Sequence, residues 1–190
     1  MIGIDEVGRG PLAGPVVVAG VRIRRNRAPH TFFRGIRDSK RLSPNARSGW
    51  FLYLTRHPDI DWAVARVWPR VIDRINISQA ANLAARRVYM RLTPQVPAPA
   101  LLDGGLRLPR HIPHQTIIRG DEQIPLIAAA SIIAKVTRDR IMARLHTKYP
   151  NYGFDAHKGY GTELHRKRLA AFGYSNIHRK SFRFRVANTR

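Results

Sequence analysis

The chain has 190 residues, 44% of them apolar, which suits one domain with a core of its own, perhaps carrying a small appendage. Thirty-four Lys and Arg face twelve Asp and Glu, a net charge of +22 that points to a polyanionic partner, nucleic acid ahead of a membrane surface or an acidic protein. The chain has no cysteine, which excludes disulfides and thiolate-ligated zinc and fits a reducing cytoplasm.

The opening Met1-Ile2-Gly3-Ile4-Asp5-Glu6 puts two acids where a secretory leader needs a basic segment, and reads instead as a short strand ending at the Gly8-Arg9-Gly10 turn. Residues 15–23 are almost continuously apolar, as in a strand covered on both faces. Residues 24–30 form a basic loop. Ser43-Pro44 is a cap followed by proline at the first helical position, and predicts a helix to about Arg56 with Trp50, Phe51 and Leu54 inward. Residues 61–67 read as a strand. Asn76 then caps a helix in which Ile77, Ala81, Ala84, Val88 and Leu92 recur at three- and four-residue steps.

Two short strands, residues 100–103 and 115–118, follow a proline-rich connector. Residues 126–148 predict the longest helix, apolar nearly all round in its first half and stopped by Pro150. Its apolar run, Leu126 to Ala134, is too short to span a bilayer. A helix over 162–172 ends at Gly173, and residues 180–190 read as a mobile basic tail. The sum is an α/β fold, a sheet with flanking helices, in which residues 1–150 form the main domain and residues 151–190 a small helical C-terminal lobe and tail.

Acids are scarce in this chain, so their positions are informative. Asp5-Glu6, Asp103 and Asp121-Glu122 all sit at or just beyond strand ends, where open α/β sheets bind ligands. Carboxylates gathered there repel, and a divalent cation removes that cost. All-oxygen ligation suits Mg²⁺ or Mn²⁺, and two such ions roughly 4 Å apart can activate a water for phosphodiester hydrolysis. Adjacent strand residues point to opposite faces, so Asp5 and Glu6 can share a site only where the strand ends. Asp5 is the expected bridging ligand and Glu6 the peripheral one, through its backbone carbonyl or a water. The glycines of Gly8-Arg9-Gly10 let backbone approach a ligand, and Arg9 offers a phosphate a fork of donors. Beside the acids, this turn is a candidate reader of a ribose 2′-hydroxyl.

Residues 4–16, IDEVGRGPLAGPV, resemble the opening signature of the ribonuclease HII family. Asp38-Ser39-Lys40-Arg41-Leu42-Ser43, Leu102-Asp103-Gly104, Gly120-Asp121 with residues 127–135, His157-Lys158-Gly159-Tyr160 and residues 177–182 resemble its later blocks, in order and at consistent spacing over nearly the whole chain. The resemblance implies an RNase H-like fold with a mixed central sheet. It implies two-metal hydrolysis of the RNA strand of RNA–DNA hybrids and cutting 5′ to single ribonucleotides embedded in duplex DNA, leaving 3′-hydroxyl and 5′-phosphate ends. Asp5, Glu6, Asp103 and Asp121 are the implied catalytic, metal-binding acids. Gly8, Arg9 and Gly10 are the implied readers of the 2′-hydroxyl, and Tyr160 stacks on the next sugar.

Asp139 competes with Asp121 as the fourth acid, but a Lys135 four residues earlier on one helix explains it as an ion pair. Lys40 is assigned to a phosphate of the cut strand. Lys135 and Arg138 either anchor the other strand or cover a helix face, and His157 is a packed loop histidine. The expected protein is a cytoplasmic monomer. Two alternatives stay open: a basic RNA-binding protein without catalysis, which has no reason to gather its few acids, and the sister family ribonuclease HIII, against which Arg9 and Tyr160 argue.

Overall fold

A computed structural model describes residues 1–24, 32–33, 35–36, 42–93 and 95–182. Lys40, and the tail from residue 183 onward, lie outside the described residues.

Five strands form one mixed sheet: β1 (Ile2–Val7), β2 (Val16–Ile23), β3 (Ile60–Val67), β4 (Ala100–Asp103) and β5 (His114–Ile117). Their order is β3-β2-β1-β4-β5. β1 and β2 pair antiparallel, as do β2 and β3, whereas β1, β4 and β5 run parallel. The long helices are α1 (Pro44–Arg56), α3 (Ile77–Leu92), α5 (Pro125–Lys148) and α7 (Glu163–Phe172); shorter ones are α2 (Pro69–Ile75), α4 (Gly120–Gln123) and α6 (Phe154–His157).

Side-chain alternation along β1 divides the core. Ile2 and Ile4 enter a cluster with Ala80, Ala84 and Val88 of α3, while α5 covers the opposite face together with Ala19 and Val21 of β2. Gly3 permits that second contact, since a Cβ there would fall 2.4 Å from the Leu126 backbone carbon. A third cluster joins Leu12 and Ala13, just after β1, to Met142, Tyr152, Phe154, Leu169 and Ile177. The C-terminal segment is therefore packed onto the loop that leaves β1.

The helix ends follow the sequence signals. Ser43 accepts from the Ala46 N–H, Asn76 from Gln79 and Thr162 from His165, and Gly173 closes α7. Helix α2 was not anticipated: Asn76, at φ 63°, both ends it and caps α3, so the two helices abut without the turn residues that would mark a boundary. The start of the expected mobile tail is instead tied down. The N–H groups of Lys180 and Ser181 donate to the Asp73 carboxylate at 3.0 and 3.1 Å. Among the described residues, no helix is long and apolar enough to cross a membrane.

Candidate active site

β1 pairs with β4 only as far as Ile4 opposite Leu102. Beyond that pair the β4 side of β1 is open, because β4 ends at Asp103 and turns away at Gly104-Gly105. β1 itself continues through Val7, still paired with β2. The strand ends at the Gly8-Arg9-Gly10 turn, as expected, one residue past Glu6. Its edge on the β4 side is freed before that end, and side chains from both faces can bend into the gap.

Asp5, Glu6 and Asp103 do so, each offering an oxygen within 4.8 Å of the others. Glu6 takes part in this cluster through its own carboxylate. The cluster is held from several sides. Asp5 accepts from the Glu6 N–H at 2.6 Å and from the Ser131 hydroxyl of α5, and Asp103 accepts from the Gly120 N–H at 2.7 Å. Asp121 is buried and next in chain to Gly120, whose N–H donates to Asp103, but it is outside the group of three. Asp139 is also outside the group of three and is ion-paired to Lys135 at 3.0 Å.

Burial, then the neighbouring Glu6 and Asp103 charges, push the Asp5 carboxyl well above the usual carboxylate range. Burial raises Glu6 too; Arg9 opposes the rise and Asp103 adds to it. Glu6 Oε2 is buried without a hydrogen-bond partner in the structure. A hard divalent cation answers both conditions, since it takes oxygen ligands and offsets the repulsion. The donor set fits Mg²⁺ or Mn²⁺.

These acids line a cavity of about 270 Å³ with Val7, Arg47, Lys135 and Tyr160. Tyr160, 41% exposed, therefore faces the same space as the acids although it lies 155 residues after Asp5 in the chain. The Gly8-Arg9-Gly10 turn follows the acids. A side chain at Gly10 would meet nothing within 4 Å, so that backbone is open to approach. The Arg9 guanidinium, read as a phosphate ligand, is placed on Glu6 Oε1 at 3.4 Å, the Gly105 carbonyl at 3.4 Å and Ser78 Oγ at 3.0 Å.

Two arginines were misjudged or missed. Arg138 neither covers a helix face nor reaches outward; it is fully buried and donates to the carbonyls of Ala13, Pro15 and Lys158. Arg179, also fully buried, donates to the carbonyls of Gly8, Arg9 and Gly14 at 2.6 to 3.1 Å. Together they fix the loop between the acids and Tyr160. His157 is packed as expected, with its Nε2 against the Tyr152 carbonyl at 2.7 Å and its Nδ1 accepting from Gly159.

Comparison with known proteins bears on the family and the fold. The family model described as Ribonuclease HII matches residues 2–185. A Ribonuclease HII of Chlamydia caviae is 47% identical over 180 residues, covering 95% of this chain and 82% of that protein. Among solved structures, the Archaeoglobus fulgidus RNase HII, determined in complex with PCNA, superposes with a TM-score of 0.79 at 28% identity, covering 99% of this chain and 97% of the other. The ribonuclease H2 of Pyrococcus horikoshii gives 0.74 at 26% identity, over 95% and 92%.

Proposed function

The chain belongs to the ribonuclease HII family and is a ribonuclease H, a hydrolase with the RNase H-like fold; from that premise we propose that it is a divalent-metal endoribonuclease that cuts 5′ to ribonucleotides in duplex DNA, single ones included, and the RNA strand of RNA–DNA hybrids. The observation that carries the reading is the shared cavity: three converging carboxylates and an exposed tyrosine line one space in a chain of charge +22.

Asp5, Glu6 and Asp103 would hold the cation, with Asp121 completing the acid set from the start of α4. Bound there, Mg²⁺ or Mn²⁺ would supply Lewis acidity and a water of lowered pKa; attack of water on the phosphorus with loss of the 3′-oxygen would leave 3′-hydroxyl and 5′-phosphate ends. The protein's own residues do the selecting. The Gly8-Arg9-Gly10 backbone, held in shape by Arg179, is the surface on which a 2′-hydroxyl is read. Tyr160 offers the next sugar a flat apolar face, and its crowding favours a deoxyribose there. Lys40 is assigned to a phosphate of the cut strand. The same reading sets a monomeric enzyme in the cytoplasm, in ribonucleotide excision repair.

The test is a duplex carrying one embedded ribonucleotide, incubated with Mg²⁺, Mn²⁺ or chelator, with product ends mapped. Metal-dependent cutting 5′ to the ribonucleotide is expected. A requirement for several consecutive ribonucleotides would refute the junction reading, and binding without any cleavage would favour a basic RNA-binding protein.

A further inference from the structure

Three buried histidines, His157, His165 and His178, lie behind Tyr160 in the C-terminal cluster. Three imidazoles together suggest a metal site, but every ring nitrogen is already committed. His178 Nδ1 accepts from the Ser175 N–H at 2.9 Å, so its proton is on Nε2. That proton points at His165 Nε2, 3.1 Å away, which must therefore be an acceptor. The remaining proton of His165, on Nδ1, faces the Tyr160 carbonyl at 2.9 Å. His157 is spoken for by Gly159 and Tyr152, and stacks on His165 at 4.3 Å. Only neutral rings in these tautomers satisfy all the bonds.

The chain of bonds does not stop at His178. Its backbone bridges Ala13, the Arg179 N–H donates to the Leu12 carbonyl at 2.8 Å, and the Arg179 side chain grips Gly8, Arg9 and Gly14. On the other side, Gly159 accepts from the N–H of Leu12 at 2.8 Å, and its own φ of +85° admits no side chain, since a Cβ would fall 2.5 Å from the Ala13 carbonyl oxygen. Tyr160 and the Gly8-Arg9-Gly10 turn are thus two ends of one bonded frame.

We propose that His165 and His178 are positioning residues that set Tyr160 at a fixed distance from the Gly8-Arg9-Gly10 turn, and so determine preference for a ribonucleotide followed by a deoxyribonucleotide. This rests on the reading of Tyr160 given above. His165 is the tether, and His178 holds it in the one tautomer that can donate to the Tyr160 carbonyl. The enzyme measures a junction with two contacts, and the histidine pair is the spacer between them.

The readout is the ratio of kcat/KM on duplex DNA with one ribonucleotide to kcat/KM on a continuous RNA–DNA hybrid, measured with Mg²⁺. His165→Ala should lower that ratio about tenfold, as expected for one lost positioning hydrogen bond. His165→Asn, whose amide N–H can take the place of Nδ1–H, should restore most of it. Adding His165→Ala to Tyr160→Ala should change the ratio no further, since no ring remains to be positioned. If His165→Ala gives no cooperative melt, His178→Gln, which keeps a donor near the Nε2 position, and His178→Asn, which does not, take its place with the same ordering. Equal losses on both substrates, or independent effects in the double variant, would overturn the proposal. Should Tyr160→Ala itself leave the ratio unchanged, the reading of Tyr160 falls and this one with it. Should Tyr160→Ala move the ratio and neither histidine do so, the positioning role alone fails.

Discussion

Replacing Asp5 by Asn should make the metal-free protein more stable while removing its activity. The three carboxylates converge within 4.8 Å. Two unit charges at that distance repel by about 3 kcal/mol at an effective dielectric near 20. Asp5 faces two such neighbours, and it is buried besides. Part of this cost is avoided in the wild type by protonation, so the net gain on removing the charge is smaller, about 1–3 kcal/mol. Asparagine keeps an oxygen for the Glu6 N–H, 2.6 Å away, and its N–H₂ can donate to the carboxylates that repelled Asp5. For a chain of 190 residues the gain corresponds to a Tm rise of about 3–10 °C.

The sign with pH follows from the direction of the shift. The folded pKa of Asp5 lies above its unfolded value of 3.8, so the folded state holds the proton longer and the wild type loses stability as pH rises through that interval. The variant has no such loss, and its advantage should grow from pH 3.8 upward. Mg²⁺ should reverse the ranking: at thousandfold excess over Kd a bound ion adds about 4.1 kcal/mol to the wild type, and the variant should gain little. Calorimetry in chelator and in a Mg²⁺ series reads both effects. A lower Tm for Asp5→Asn in chelator, or an undiminished Mg²⁺ shift, would refute the argument.

Tyr160→Ala should lose activity chiefly on single embedded ribonucleotides while costing about 1 kcal/mol of stability or less, because the side chain is half-exposed, and Tyr160→Phe should keep most activity; equal loss on both substrates with a large fall in Tm would make it core packing. Arg179→Met leaves the Gly8, Arg9 and Gly14 carbonyls short of a buried donor and should cost about 3–5 kcal/mol in urea unfolding, an estimate that a loss under about 1 kcal/mol would sink. Burial, with the neighbouring rings, pushes His165 and His178 down from 6.5 to about 4. The unfolded chain then binds more protons in that window, so stability present above pH 6.5 should fall by about 2–3 kcal/mol per ring as pH drops toward 4, and melts that stay flat across this range would show that the rings are not buried neutral.

Much of this was legible because local and global signals agreed. Capping residues Ser43 and Asn76 marked helix starts, a continuous apolar run marked β2, and three- and four-residue steps marked α3. The acids stood out for their scarcity. What could not be read was how Asp5 and Glu6 meet, because that depends on where the ladder to β4 stops, a property of the sheet and not of β1. Helix α2 was hidden for a similar reason: its boundary is a single Asn76 in a left-handed conformation, with no glycine or loop to announce it.

The arginines show a more general obstacle. In a chain with 34 basic residues, nothing in the sequence distinguishes Arg138 and Arg179 from those that meet solvent or substrate, and charge alone assigns all of them to the nucleic-acid surface. Only the structure shows that these two are interior. The hydrogen bonds of each go to carbonyl dipoles, three backbone oxygens from the segment after β1 or from the Lys158 turn, with Asp139 near Arg138 and Asp73 near Arg179 adding a longer-range attraction. That segment is a loop without regular ladder bonds, so its carbonyls need donors, and a guanidinium carries five in one plane. A lysine could not span three carbonyls in this way, and an acid would place a new negative charge beside the cluster. The loop proposed to read a 2′-hydroxyl thus takes its shape from two buried cations. Arg138 and Arg179 should therefore tolerate substitution less well than any arginine on the outer face of α3.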